Sequence, residues 1–261
     1  MAEHLLHGEV GDGGVATITI DRPDKRNAMN AAMWRRLPEL LAAFADDPDV
    51  RAVVLTGAGG HFCSGADIGE LDRIRRRGEF PPSTIAEEAL AAFPKPTIAA
   101  IEGFCVGGGC QLAAACDLRF AAADARFGIT PARLGIVYPL SATRRLVRQV
   151  GPSAAKYLLY SGELVSAEYA LRIGLLNEIV EPGELHRRVA AFAAVLASRS
   201  LLTQRGSKEI VDTIVSGGDA EAVAARWTAE ADAPTGDMTE GVAAFLEGRP
   251  PSFTWTAPHL P

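Results

Sequence analysis

The sequence has 261 residues, of which 48% are hydrophobic and 22% charged, so the chain can bury the core of a large soluble domain. Its formal net charge of −6 disfavours a nucleic-acid partner, which would select a basic surface. We read no signal peptide at the N-terminus, and no apolar run reaches the roughly 18 to 20 residues of a membrane span, so we expect a cytoplasmic protein without a membrane partner.

The first part of the chain predicts strands that alternate with helices. Residues 15–20 alternate as a half-buried strand, and residues 21–30 form a polar loop. Residues 31–46 have a helical pattern, in which Pro38 is expected to kink the helix or to reset its start. Residues 51–56 form a strand that ends in a glycine-rich turn before the motif FCSGAD and a helical segment.

The central stretch repeats this arrangement. Residues 97–101 are a short apolar run typical of a buried strand, and the glycines at 107–109 precede a small-residue helix that starts near Cys110. A strand that stops at glycines and restarts as a helix exposes unpaired backbone N–H groups, which hold negative charge well. Two amides from two such turns can hold one carbonyl oxygen between them.

The second part of the chain predicts one more region of strands and then helices alone. Residues 118–121 are a strand, and residues 127–140 are irregular. Helices alone follow from about residue 184. Within this helical region, Asp237 and Glu240 have the spacing of a capping box. The alternation of strands and helices predicts parallel sheets, and therefore an α/β fold with a helical tail.

The glycine clusters and the cysteines match no cofactor motif. Neither a G-x-G-x-x-G fingerprint nor a Gly-Lys-Ser/Thr sequence follows a strand, so dinucleotide and P-loop sites are disfavoured. The cysteines have no zinc spacing and are expected to be reduced thiols, so we predict no metal site. Their positions are Cys63, Cys105, Cys110 and Cys116.

The motifs in order resemble those of the crotonase superfamily, the enoyl-CoA hydratase/isomerase family. They are RPDKRNAMN, FCSGAD, KPTIAAIEGFCVGGGCQLAAACDLRFAAADARFG, SAEYALRIGLLNEIV and AFLEGRPPSF. The resemblance implies a crotonase-like spiral of ββα repeats that binds acyl-CoA over residues 1–200. It also implies a helical C-terminal region over residues 201–261 that packs a homotrimer or a dimer of trimers.

The resemblance also implies site residues. Family members stabilise the enolate of an acyl-CoA thioester, and the matching amides are those of Ala66 and Gly108; the alternative is that these turns are merely tight. Coenzyme A is part of the substrate, so no separate cofactor is expected. For Lys25 and Arg26, which match contacts to the phosphates of CoA, the alternative is a solvated basic loop. All the positions that match CoA contacts are Lys25, Arg26, Ala28, Ser64, Asp67, Ile68, Phe245 and Arg249.

The catalytic carboxylates of the family's hydratases have no match here. Gln111 and Pro131 stand at the two glutamate positions, and an amide cannot act as a base near neutral pH. Residues 125–162 contain no Asp or Glu. Hydration is therefore disfavoured, unless Glu102 or Glu79 substitutes.

The segment FGITPARLGIVYPL is similar instead to that of methylmalonyl-CoA decarboxylases, through Thr130, Pro131 and Tyr138. Loss of CO₂ forms an enolate without a base. Tyr138 would orient the carboxylate and Gln111 would be a neutral donor, although Ala66 stands where such decarboxylases have His. A packing role is the alternative for Tyr138.

Three hypotheses remain open at this stage. The first is an acyl-CoA enzyme that forms a thioester enolate, with decarboxylation of a malonyl-type CoA preferred. The second is an enoyl-CoA hydratase or isomerase with atypical catalytic groups, and the third is a non-catalytic acyl-CoA-binding protein. The sequence does not specify the acyl chain.

Overall fold

The computed structural model describes residues 4–74, 81–233 and 236–256. Within these ranges no helix is both long and apolar enough to cross a bilayer. The strands are β1 Leu6–Val10, β2 Val15–Ile20, β3 Ala52–Gly57, β4 Thr97–Ile101, β5 Phe104–Val106, β6 Leu118–Ala122, β7 Arg126–Gly128, β8 Val165–Ser166 and β9 Glu178–Val180. The α-helices are α1 Ala31–Asp46, α2 Leu71–Ile74, α3 Pro82–Ala91, α4 Gly108–Ala115, α5 Leu140–Ser161, α6 Ala167–Arg172, α7 Leu185–Ala197, α8 Leu201–Ser216, α9 Ala220–Ala231 and α10 Asp237–Glu247.

The larger sheet has the strand order β1-β2-β3-β4-β6-β9. Strand β1 runs antiparallel to β2, and the remaining pairs are parallel, as the alternation of strands and helices predicted. Every residue of β3 and β4 is buried, as expected for central strands covered on both faces. The smaller sheet joins β5, β7 and β8, and β5 leads directly into the glycines at 107–109.

Helix α1 runs without interruption through Pro38, so the predicted reset of its start is wrong. Asn30 caps the helix, since its side-chain oxygen accepts from the backbone N–H of Met33 at 2.9 Å. The inward face buries Trp34 and Leu37 completely. Burial of these large side chains offsets the cost of a proline inside a helix, which is about 3 kcal/mol.

The capping box predicted for the last helix is also wrong. Gly236 is the N-cap residue, and Asp237 already lies inside the helix. The Asp237 carboxylate accepts from the backbone N–H of Trp255 at 3.2 Å, because the tail folds back over the helix. The Glu240 carboxylate accepts hydrogen bonds from the side chain of Arg249 and the backbone N–H of Ser252, which lower its pKa to about 2.

Lys95 closes the C-terminal end of α1 and predicts a pH effect on stability. Its Nζ donates to the carbonyl oxygens of Phe44 at 2.9 Å and Asp47 at 2.6 Å. Burial lowers the pKa of Lys95 to about 8, although the charge of Asp47 opposes the shift. An unfolded lysine titrates near 10.4, so between roughly pH 8 and 10.4 the unfolded state binds more protons and the free energy of unfolding rises with pH.

Lys95→Met should remove this rise. Denaturant titrations of both proteins at several pH values between about 7.5 and 10 measure the difference. We expect the free energy of unfolding of the wild type to increase relative to the variant across this window. A parallel pH dependence of the two proteins contradicts the assignment.

Candidate functional site

Two turns meet at one end of a cavity. The first turn, which includes residues 62–67, follows β3, and the second, residues 107–109, joins β5 to α4. A methyl group placed on Gly108 would lie 3.3 Å from the backbone nitrogen of Ala66 and 3.0 Å from Cζ2 of Trp34. The backbones of Ala66 and Gly108 are therefore neighbours, as the two-turn prediction required.

The amides of Ala66 and Gly108 have no protein acceptor within the described part of the chain. The backbone of Met29 pairs with the first turn: its carbonyl accepts from the N–H of Asp67 at 2.9 Å, and its N–H donates to the carbonyl of Gly65 at 2.8 Å. The N–H of Ala66, between these two residues, takes no part in this pairing. Gly108 is the first residue of α4, where an N–H has no partner inside the helix. The positive end of the helix dipole lies at this amide. Both N–H groups are thus available to a ligand.

The cavity beside these amides has a volume of about 360 Å³. It brings together the six predicted catalytic residues. Among the residues described in the structure, no Asp, Glu, His, Lys or Arg lines it. The predicted residues that line it are Ala66, Gly108, Gln111, Thr130, Pro131 and Tyr138, together with Ser64 and Ile68, and the apolar wall includes Trp34, Leu71, Ile74, Pro81, Leu134, Ile136 and Leu140.

A carboxylate lies directly behind Gln111. The Nε2 of Gln111 donates to Oε2 of Glu87 at 2.7 Å, and Glu87 is completely buried. Ser141 donates to the same oxygen at 2.8 Å, and Arg145 donates to the other oxygen. Because the carboxylate can only accept, it is the Nε2 of the Gln111 amide that faces Glu87, and Gln111 also lines the cavity.

Sequence analysis did not identify Glu87. Helical spacing on α3 offered a signal, since Ser83, Ala86, Glu87 and Leu90 share one buried face. A glutamate on such a face needs a partner, and that partner comes from α5. Burial lowers the pKa of Arg145, but its bonds to Glu88 and the charge of Glu87 raise it above the ordinary value overall. The guanidinium therefore stays charged beside the carboxylate.

The hydroxyl of Tyr138 donates to the carbonyl oxygen of Gly107 at 3.1 Å. Burial raises the pKa of Tyr138 well above its ordinary value, and the charge of Glu87 adds to the shift. The hydroxyl therefore keeps its proton. We predicted that this group donates to a substrate carboxylate, but here its hydrogen is directed at the backbone of the second turn.

The residues predicted to contact CoA at the first turn form one surface with the loop at 22–28. Ser64 donates through its N–H to the carbonyl of Arg26 at 3.0 Å and through its Oγ to that of Lys25 at 3.2 Å. Arg22, which sequence analysis did not identify, joins the two segments. Its Nη1 donates to Oδ2 of Asp67 at 2.7 Å and to the carbonyl of Ala28 at 3.1 Å.

Other candidates lie away from the cavity. Glu102 pairs with His186 at 3.0 Å on the surface. Phe245 is 85% exposed on α10, and Arg249 is held by carboxylates of its own tail segment, so their role at the CoA site of a neighbouring copy stays a prediction. Glu79 lies outside the described residues.

Known proteins resemble this chain over nearly its whole length. The family described as enoyl-CoA hydratase/isomerase matches residues 11–256. A crotonyl-CoA hydratase of Syntrophomonas wolfei is 36% identical over 92% of this chain and 94% of its own length. A short-chain-enoyl-CoA hydratase of Clostridium acetobutylicum is 35% identical over 91% of this chain and 93% of its own length. The crystal structure of an enoyl-CoA hydratase/isomerase family member superposes with a TM-score of 0.90, at 38% identity and 97% coverage of both chains.

Proposed function

The chain belongs to the enoyl-CoA hydratase/isomerase family, whose crotonase-like α/β fold it shares, and we propose that it binds an acyl-CoA thioester between the two turns. The amides of Ala66 and Gly108 donate to the thioester oxygen, where negative charge develops as an enolate forms. One such donor typically contributes about 3–4 kcal/mol to the transition state. The observation that carries the proposal is the pair of neighbouring N–H groups at the end of the cavity, for which the described residues provide no acceptor.

The CoA part of the substrate lies along the joined surface of the two segments at Ser64. Lys25 and Arg26 supply positive charge for its phosphates. The bond between Arg22 and Asp67 supports this placement, because it holds the loop against the first turn next to the cavity. Ser64 and Ile68 lie where this CoA surface meets the cavity that receives the acyl group, since both also line that cavity.

The directions of two hydrogen bonds favour a bound water over a substrate carboxylate beside Gln111 and Tyr138. Gln111 donates to Glu87 through its Nε2, and Tyr138 donates to Gly107. We infer that the Oε1 of Gln111, at the other end of the amide, faces the cavity. Both side chains thus present acceptor oxygens, which attract an O–H group and repel a carboxylate. We therefore infer hydration of an enoyl-CoA, with Gln111 as the acceptor that orients the water.

The reaction adds one water across the double bond. The water oxygen bonds to the β-carbon, the π electrons of the α,β bond form the double bond of the enolate, and the π electrons of the C=O bond move onto the thioester oxygen held by Ala66 and Gly108. The enolate then takes a proton at the α-carbon as the oxygen attached to the β-carbon loses one. A positioned acid or base typically contributes 10²- to 10⁴-fold, so we expect turnover to be slower than with both glutamates by at least about 10²-fold.

Gln111→Glu should raise the rate of this reaction. The new carboxylate would lie at hydrogen-bond distance from Glu87, so the pair would share a proton and the pKa would rise toward that of an effective base. We expect crotonyl-CoA hydration, followed as loss of the conjugated thioester absorbance, to increase by about 10²-fold. Gln111→Met is the matched control and should abolish the slow wild-type turnover. Equal rates in wild type and both variants contradict the role of Gln111.

Decarboxylation of a malonyl-type CoA is the second candidate, supported by the lack of carboxylates among the described residues of the cavity wall. In that reaction the bond from the α-carbon to the carboxylate breaks, its electrons form the enolate, and CO₂ leaves. Release of CO₂ from malonyl-CoA or methylmalonyl-CoA without crotonyl-CoA turnover would select this reaction. Calorimetric binding of both thioesters without any product would instead select the non-catalytic binding protein.

A further inference from the structure

Tyr138 contacts the peptide group that contains one of the two proposed donors. Its hydroxyl donates to the carbonyl oxygen of Gly107, and the N–H on the other side of the same peptide bond is that of Gly108. In a trans peptide the C=O and N–H bonds point in opposite directions. Whatever holds the Gly107 carbonyl therefore also sets the direction of the Gly108 N–H.

The Gly107–Gly108 peptide needs such support. Gly107 has φ 54° and ψ −110°, a backbone conformation that a glycine adopts without the steric cost of a side chain. Its carbonyl accepts from the backbone N–H of Gln111 at 3.1 Å and from Tyr138 at 3.1 Å. The first bond belongs to the helix. The second comes from a residue 31 positions away, so it ties this peptide to a different wall of the cavity.

We propose that Tyr138 is a positioning residue, which orients the Gly107–Gly108 peptide and strengthens Gly108 as a donor to the thioester oxygen. A hydrogen bond accepted at a carbonyl polarises the peptide and makes its N–H a better donor. The hydroxyl stays protonated through the neutral and mildly alkaline range, because burial raises the pKa of Tyr138. The proposal rests on the proposed function, since it assigns Tyr138 to the same thioester site.

The effect should appear in the transition state and not in ground-state binding. Tyr138→Phe keeps the ring and removes the hydroxyl. With loss of one neutral hydrogen bond to the donor peptide, we expect kcat to fall about tenfold and KM to change less than twofold. Tyr157→Phe, which makes the same change at a hydroxyl that donates to Glu163 away from the cavity, is the matched control and should leave the polarisation of the bound carbonyl unchanged.

A chromophoric substrate analogue tests the proposal directly. The absorption of 4-(dimethylamino)cinnamoyl-CoA moves to longer wavelength when donors polarise its thioester carbonyl. We expect a red shift on binding to the wild type, a shift reduced by at least a third in Tyr138→Phe at saturating protein, and an unchanged shift in Tyr157→Phe. As a variant that retains the fold, 3-fluorotyrosine at position 138 provides a stronger donor and should enlarge the shift.

The outcomes separate the two proposals. A red shift in the wild type that is equal in Tyr138→Phe and in the fluorinated variant overturns the role of Tyr138 and leaves the two-amide site intact. Binding to the wild type without any red shift overturns the two-amide site, and the role of Tyr138 with it. If Tyr138→Phe does not fold, the fluorinated variant decides alone, because an unchanged shift there contradicts the proposal.

Discussion

Replacing Ala66 by proline is expected to lower kcat by about 10²- to 10³-fold, because it removes one of the two N–H groups proposed to hold the thioester oxygen. Proline has no backbone N–H, and in this chain the N–H of Ala66 has no protein acceptor to lose within the described residues. The neighbouring ladder bonds use Gly65, Asp67 and Met29, so they remain. The affinity for the unreacted acyl-CoA should change much less than kcat, since the donor acts mainly on the charge of the transition state.

Two controls separate loss of the donor from distortion of the turn. Ala66→Gly keeps the N–H and should retain kcat within about threefold, a loss below 1 kcal/mol. Lactic acid at position 66 replaces the N–H by an ester oxygen at nearly constant shape, so it should reproduce the loss seen with proline. Thermal unfolding measures the fold of each variant. A lactic acid variant with wild-type kcat contradicts the role of this amide.

The convergence of the two turns was predictable because its signals are local. Each turn is marked by a strand, glycines and a following helix. A parallel bridge between Cys63 of the first turn and Cys105 of β5, the strand before the second turn, brings the two turns together. The structure accordingly places Ala66 and Gly108 side by side. The same local character explains why α1 was placed correctly at residues 31–46, apart from the effect expected at Pro38.

The parts that sequence analysis missed depend on contacts between distant segments. Glu87 meets Gln111, 24 residues away, and Arg145, 58 residues away, and no spacing rule links these positions. Tyr138 was correctly predicted to line the site, but the partner of its hydroxyl could not be predicted, because it depends on where Gly107 lies in the folded chain. Asp237 likewise does not cap α10, since Gly236 is the N-cap residue, and its carboxylate accepts instead from Trp255, 18 residues away.

Glu87→Ala is expected to destabilise the protein by about 3–5 kcal/mol, the cost of breaking a buried ion pair and leaving its partners unsatisfied. Glu87 is completely buried and accepts from Gln111, Ser141 and Arg145, so its removal orphans three donors at once. The free energy of unfolding, measured by urea denaturation at fixed protein concentration, tests this.

Glu88→Ala is the matched control, because Glu88 binds the same Arg145 through a carboxylate that is 53% exposed. Exposed pairs contribute about 1 kcal/mol or less, so this variant should remain close to the wild type. Glu87→Gln should fall between the two, since its amide oxygen still accepts from Arg145 while its NH₂ group opposes the donor of Gln111. A loss in Glu87→Ala no larger than that in Glu88→Ala would mean that the buried carboxylate does not hold the Gln111 amide in place. The orientation of Gln111 toward water would then lose its structural basis, even if the two-turn site remained.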